Sequence, residues 1–404
     1  MSNICRNYNI KYKLFQMPTY PTYKLGEIID KVPIEFKVKQ KEYLPKGKFP
    51  VVDQGQDLIG GFVDDKSLLV KTELPVIVFG DHTKAKKFID FPFVAGADGT
   101  KIIKPKKDYF IEPKLFYWFL HCVKFPDKGY ARHFQYLLKS DIAVPPLATQ
   151  HAIVTRIETL FAELDKAVQH LRTAQQQLKT YRQAVLKVAF EECDSYEKIT
   201  NCFDVTGGLT KNSQREKFSI KMPYLRVANV YYNRLDLSEI KEIGVQESEI
   251  KDKLLKKEDL LFVEGNGSKE QIGRVAVWDG SIENCLHQNH IIKGRPLGTM
   301  LSKFALYYFI SDFGREQILK VASSTSGLYT LSTEKVRNLN VPACSISEQQ
   351  RIVAEIESRL SQATASETYI ENALQQAEAL RQSILKKAFS GEFVSTSSTT
   401  KMGA

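Results

Sequence analysis

The sequence predicts an α+β chain in which two globular α/β domains alternate with two long helices. The helices are expected to pair as an antiparallel coiled coil, and the whole forms an internal pseudo-twofold repeat. Three observations predict this. A block of helical sequence recurs later in the chain without a gap. Both copies carry apolar residues in heptad spacing and contain neither Gly nor Pro. The segments before each copy share an order of short apolar runs, polar loops and one aromatic-rich stretch, as duplicated units do.

The repeat is read directly. Ile153, Val154, Ile157 and Glu158 return in register as Ile352, Val353, Ile356 and Glu357. Gln176 and Gln177 return as Gln375 and Gln376, and Arg182-Gln183-x-x-Leu186-Lys187-x-Ala189-Phe190 as Arg381-Gln382-x-x-Leu385-Lys386-x-Ala388-Phe389. A Val-Pro pair precedes each copy, Val144-Pro145 and Val341-Pro342. These anchors divide the chain into a first domain (1–147), a central helix (148–192), a second domain (193–345), a C-terminal helix (346–392) and a tail (393–404).

In the first domain, short apolar runs predict strands at Phe49–Val52 and Pro75–Phe79, and Leu115–Leu120 predicts a helix over 113–123. In the central helix, Ile153, Ile157, Leu160, Leu164, Ala167, Leu171, Ala174, Leu178, Tyr181, Val185 and Val188 keep 4–3 spacing, the seam of a coiled coil. The second domain echoes the first. Its predicted strands are Leu260–Val263 and Arg274–Trp278, its helix spans 301–311, and His290-Ile-Ile-Lys293 answers Lys101-Ile-Ile-Lys104. The C-terminal seam (Ile352, Ile356, Ala363, Ile370, Ala373, Ala377, Leu380, Ile384) is weaker, with Arg359, Ser366 and Lys387 intruding. The residues expected to carry the pairing are Ile157, Leu164, Leu171, Leu178 and Val185 against Ile356, Ile370, Leu380 and Ile384. About forty residues at ~1.5 Å each give a rod of roughly 60 Å, a spacer. The polar, aperiodic tail is expected to be disordered.

Composition narrows the function. With 57 Lys+Arg against 47 Asp+Glu, the chain carries +10, which points toward a polyanionic partner. No run approaches the ~18 apolar residues of a membrane helix, and the start lacks the apolar core of a secretory signal, so a cytoplasmic location is expected. Cys5, Cys122, Cys193, Cys202, Cys285 and Cys344 lie far apart without a C-x-x-C pair, which fits small core residues rather than a disulfide frame or zinc site. No phosphate-binding loop, dinucleotide fingerprint or nucleophile elbow is present, nor an Asn/Asp-Pro-Pro-aromatic tetrapeptide; Gly265-Asn266-Gly267 stops short of the dinucleotide spacing. Cys285-x-His287-x-x-His290 is the nearest thing to a metal cluster, but it lacks a spaced second pair. No catalytic residue and no metal ligand is therefore assigned, and no cofactor bound by this chain is expected.

What remains is suited to recognition. Asn and Gln present a donor and an acceptor together, as adenine's major-groove edge requires, and Arg and Lys suit guanine. Gly and short hydroxyls let backbone and side chain approach phosphates. In the first domain the candidates are Gln54, Gln56, His82, Thr83, Lys84, Lys86, Lys101, Arg132, His133 and Gln135. In the second they are Arg226, Asn229, Asn266, Gly267, Ser268, Lys269, Gln288, Asn289, His290, Ser324, Thr325, Ser326 and Tyr329. A plain alternative for each loop is a surface turn whose Asn, Ser and Gly serve the backbone.

Several strings carry a family resemblance: Gly208–Asn212, Pro223–Val230 (PYLRVANV), Val263–Ser268 (VEGNGS), His287–Ile292 (HQNHII) and Ser324–Ser332 (STSGLYTLS). In the first domain Val51–Gly55 (VVDQG) and Ala131–Leu138 (ARHFQYLL) add to it, as does Glu348–Val353 (EQQRIV) after the second Val-Pro. The first copy of that last string departs slightly, with Thr149-Gln150-His151. The chain thus resembles, over nearly its whole length, the specificity subunit of a type I restriction–modification enzyme. The resemblance implies that 1–147 and 193–345 are target-recognition domains, each reading half of a bipartite, asymmetric double-stranded DNA site. The two helices would set the gap and dock two methyltransferase subunits, with restriction–motor subunits joining to cut unmodified DNA. S-adenosylmethionine, ATP and Mg2+ would be used by those partners in adenine-N6 methylation and host defence, the chain itself being non-catalytic. Half-sites read by equivalent faces would lie about 34 Å apart or somewhat less. A coiled-coil adaptor with non-specific nucleic-acid binding stays open beside this reading.

Overall fold

The computed structural model describes residues 20–96, 98–126, 131–266, 268, 271–325 and 328–393. Contacts divide the chain into two units, residues 1–171 with 372–404, and residues 172–371. Each unit therefore holds one domain and a stretch of both long helices.

In the first unit the main sheet has the order Ile29–Lys31, Thr100–Pro105, Val76–Gly80, Lys86–Ile89, with every neighbour antiparallel. Val76–Gly80 is buried at every position because the sheet is covered on both faces. Ile77 and Phe79 join the core beneath helix Pro113–Cys122, while Val76 and Val78 face Val52, Phe93 and Ala95. That helix starts with a Pro in its first turn, where no backbone donor is lost, and Glu112 caps it by accepting from Leu115 N at 2.5 Å. A smaller sheet runs Gly61–Val63, Phe49–Val52, Val94–Ala95, the first pair antiparallel and the second parallel. A ribbon of Thr22–Lys24 with Asp141–Ala143 ties the domain's two ends together at the foot of the central helix.

The second unit repeats this pairing by pairing. Its main sheet runs Phe203–Gly207, Ile291–Pro296, Leu260–Val263, Val275–Val277, all antiparallel. Its smaller sheet runs Lys241–Val245, Ile220–Leu225, Leu286–His287, again antiparallel then parallel. Helix Ser302–Ile310 covers the main sheet, and Tyr196–Lys198 pairs with Asn340–Pro342 as the closing ribbon. Among the described residues, helix Asp312–Val321, the hairpin Ser323–Thr325 with Leu328–Thr330 and the short hairpin Val230–Tyr231 with Arg234–Leu235 have no counterpart in the first unit.

The long helices run unbroken over Leu147–Glu191 and Ile346–Ser390. Within the first unit, Ile153, Val154, Ile157 and Phe161 share a core with Ile384, Leu385, Ala388 and Phe389. Within the second, Val185, Leu186 and Phe190 meet Ile352, Val353 and Ile356. In both, residues near one helix's start meet those near the other's end, so the pairing is antiparallel. Among the described residues no helix is long and apolar enough to cross a membrane.

One half of the expected seam holds and the other shifts by a residue. Ile157, Val185, Ile356, Ile370 and Ile384 are buried, and Leu164, Leu171 and Leu178 half-buried. Leu380, however, is 51% exposed, and Val188 61%; Ala167 and Tyr181 also face out. The intervening positions are filled instead by Phe161, Val168, Gln175, Arg182 and Ala189, and by Leu360, Glu367, Leu374, Arg381 and Ala388. Leu380 is thus corrected to a solvent-facing residue. A search for apolar side chains prefers Tyr181 and Leu380 to their neighbours, but arginine can cover a seam with its stem while its head finds a partner. Arg182 pairs with Glu367 at 2.8 Å and bonds Thr364 Oγ1. Arg381 pairs with Asp165 and lies 4.5 Å over the Phe161 ring.

The expected strands Phe49–Val52 and Leu260–Val263 stand as read. Pro75–Phe79 becomes Val76–Gly80 and Arg274–Trp278 shortens to Val275–Val277. The tail from residue 394 onward lies outside the described residues.

Candidate nucleic-acid interface

In each unit four loops gather at one end of the sheets, and the same backbone hydrogen bonds join them. In the first unit Gly96 N donates to Val52 O, Asp81 N to Gly99 O, and His133 N to Asp81 O. In the second, Gln288 N donates to Leu225 O, Glu264 N to His290 O, and Leu331 N to Glu264 O. The hub is an acid in both cases, Asp81 or Glu264, directly after the fully buried middle strand. A strand end, two sheet-to-sheet connections and the loop before the last ribbon therefore meet at one place, twice.

The first cluster brings together Gln54, His82 and Thr83. Thr83 Oγ1 donates to Gln54 O at 2.5 Å and His82 N to Gln54 Oε1 at 3.4 Å. Gly99 sits at φ +85°, and a Cβ there would lie 2.5 Å from Gln54 Oε1, so only glycine fits. Asp53 holds the base of the loop, accepting from Gly55 N and Tyr43 OH and facing the buried Lys87 at 3.6 Å. Gln56, Arg132 and Gln135 are exposed, and Lys84 and Lys101 half-exposed.

Two first-domain candidates sit beneath this surface. His133 is fully buried between Phe125 and Tyr136, so it supports the loop from below instead of reading bases. Lys86 is drawn inward over the Phe125 ring at 5.4 Å, and burial lowers its pKa to about 8.

The second cluster presents Gln288 and Asn289, half-buried, with His290 exposed. His290 Nδ1 lies 2.8 Å from Glu264 Oε2. Gly208 lets this loop lie flat on its neighbour, since a Cβ there would come within 2.3 Å of His287 O. Tyr329 pairs opposite Asn266 across a strand bridge and opposite Ser324 in the hairpin; Ser268 is half-buried. Gly267, Lys269 and Ser326 lie outside the described residues, and for Asn266, Ser324 and Thr325 only the backbone is described.

Asn229 is a correction. It is 3% exposed, and its amide is spent on Asp236 O and Glu239 O while its oxygen accepts from Arg226 N. It folds the 226–239 turn and has no group left for a base. Arg226 is also engaged, with Nη2 3.2 Å from Glu239.

His287, two places before Asn289, is buried with Nδ1 bonded to Ile291 O at 3.0 Å. Burial, reinforced by Lys293, pushes its pKa down to about 3. Among the described residues no group of three or more His, Cys, Asp or Glu could hold a metal ion.

Sequence reading missed the acidic hubs and a pair of glutamines. Gln150 accepts from Glu112 N and donates to Phe110 O and Pro145 O. Gln349 accepts from Leu301 N and donates to Thr299 O and Cys344 O. Each is 1% exposed and bolts one domain to the start of a long helix. The paired ion bridges Lys114–Glu158 and Lys303–Glu357 repeat the same joint. The signal was present in the aligned repeat, where both glutamines and both glutamates coincide.

Comparison with known proteins closes on the same architecture. Residues 17–171 and 196–376 match the family described as type I restriction modification DNA specificity domain. The chain is 30% identical over 270 residues to the type I restriction enzyme EcoKI specificity subunit of Escherichia coli K12, spanning 62% of this chain and 57% of that protein. It is 26% identical over 348 residues to the EcoR124I/EcoR124II specificity subunit of Escherichia coli, spanning 81% of this chain and 84% of that one. The fold is similar to a chain from a structure described as the basis of complex assembly and conformational transition of the type I R-M system. There the TM-score is 0.69 at 17% identity, over 93% of this chain and 98% of that one.

Proposed function

The chain belongs to the type I restriction–modification DNA specificity family, and from that premise we propose that each unit's loop cluster reads one half of a bipartite DNA site. The carrying observation is the duplicated loop network: three backbone bonds, two of them made by an acidic hub, repeated in both units, with different side chains displayed in each. One frame with two sets of readers suits an asymmetric target. The excess of ten positive charges supports a phosphate-bearing partner. The paired helices serve as the spacer and as the docking surface for methyltransferase subunits. Those partners use S-adenosylmethionine, and the restriction subunits ATP and Mg2+; this chain contributes specificity, in the cytoplasm.

Selection from a random duplex library by the full chain, alone and with its methyltransferase partners, tests this. Two short motifs at a fixed gap are expected. Affinity should fall by about a thousand-fold or more between 50 and 200 mM salt if six or more phosphates are contacted. Binding without any motif would instead mark a non-specific adaptor.

A further inference from the structure

We propose that Glu264 is a positioning residue that presents His290 as a hydrogen-bond acceptor to the exocyclic amino group of adenine or cytosine. This rests on the reading of the second loop cluster as a DNA reader.

The two residues are held to each other at two points. Glu264 N donates to His290 O at 2.9 Å, and His290 Nδ1 meets Glu264 Oε2 at 2.8 Å. Leu331 N donates to Glu264 O, and Gln288 N to Leu225 O, so both loops are pinned to strands. The ring therefore points where the backbone sets it. A carboxylate can only accept, so Nδ1 is the donor, and the neutral ring is left with its lone pair on Nε2. The His290 side chain is 55% exposed and that of Glu264 28%, which places the ring outermost and its support behind it.

Its neighbour His287 makes the contrast. That ring is fully buried and its Nδ1 is spent on Ile291 O, so the loop assigns one histidine to the fold and offers the other to solvent. In the first unit the equivalent acid, Asp81, turns its carboxylate to Phe134 N at 2.8 Å and supports no exposed ring. Among the described residues the dyad occurs in one reader, which suits two different half-sites.

In the major groove adenine N6 and cytosine N4 are the donors, whereas guanine and thymine offer acceptors there. An imidazole presenting a lone pair favours the first pair and repels the second.

The experiment repeats library selection with His290→Ala and Glu264→Gln, each checked for an unchanged melting curve. His290→Ala should lose about ten-fold preference for adenine or cytosine at one position of one half-site, leaving the other half-site intact. In Glu264→Gln the amide can donate to Nδ1 and move the ring proton to Nε2, so preference at that position should shift toward guanine or thymine. A structural role alone would not produce that reversal. A uniform loss at every sequence with a shallower salt dependence would identify a phosphate contact and overturn the proposal, as would an unchanged motif. If the unaltered chain selects no bipartite motif at all, it is the broader functional reading that fails.

Discussion

A single buried histidine shows how residue chemistry becomes a property of the fold. His287 has a folded pKa of about 3 against an ordinary 6.5, because burial and the nearby Lys293 disfavour its charged form. The unfolded chain takes up a proton below pH 6.5 that the folded chain refuses. Stability is therefore full above pH 6.5 and lost as pH falls from there toward 3, by up to about 1.4 kcal/mol per pH unit. His121 in the first unit acts the same way down to about 4, through burial and then Lys86 and Arg381. Unfolding free energies from urea titrations should fall between pH 6.5 and 5, by about 2 kcal/mol for each of these histidines. His287→Asn, whose amide can still donate to Ile291 O, should flatten the second unit's share of that slope; an unchanged slope would contradict this. The two buried glutamines give a second residue-scale prediction. Gln349→Ala strands Leu301 N, Thr299 O and Cys344 O, and should cost about 2–4 kcal/mol in chemical denaturation. Gln349→Glu, which keeps the acceptor and loses the donor, should also destabilise. The repeat aligns the two glutamines, but their partners could not be read from sequence, because the bonded groups of Gln349 lie up to 50 residues away along the chain.

At the scale of elements, sequence was most informative where burial is continuous. Leu260–Val263 was legible because a strand covered on both faces must be apolar throughout, and Phe49–Val52, half-buried at its first two residues, because its short apolar run is bounded by polar turns. The loop clusters were legible as polar strings but not as a network, since their joining bonds are between backbones and carry no side-chain signature. The helix seam lies between these cases. Heptad spacing located one row of contacts, yet two choices for the other row are equally regular, 178–181–185 or 178–182–185. The partner decides between them, and it takes Arg182 and Arg381, whose heads find Glu367 and Asp165. The corrected seam makes a direct prediction. Ile356→Ala, at 1% exposure, should lose about 2–4 kcal/mol by cavity formation, as should Ile384→Ala. Leu380→Gln and Val188→Gln should change stability by no more than about 0.5 kcal/mol. Comparable losses at Leu380 and Ile384 in thermal or urea unfolding would restore the seam first read from the sequence.

The whole molecule was legible through its duplication, because a repeat constrains architecture before any element is assigned. The helix Asp312–Val321 and the hairpin Ser323–Thr325 with Leu328–Thr330, found among the described residues in the second unit alone, escaped that logic. They are where the repeat diverges, and the hairpin pairs with Gly265–Asn266 beside the loop cluster, so the divergence falls at the surface proposed to read DNA. The duplication also defines what the two unbroken helices can do for the proposed function. Each passes from one unit to the other, at Leu171/Arg172 and at Glu371/Asn372. Inserting seven residues at both borders keeps every seam position in phase, since a heptad is two turns of a coiled coil. Each helix then gains about 10.5 Å at 1.5 Å per residue, close to three base pairs at 3.4 Å each. The motif selected from a random duplex library should keep both halves and widen its gap by about three base pairs. A four-residue insertion at the same borders is the control: it adds length while turning the seam away from its partner, so it should weaken the pairing and blur the gap. An unchanged gap in the heptad variant, with both half-sites still selected, would remove the helices from the role of spacer and leave the joints between domains and helices to set the distance.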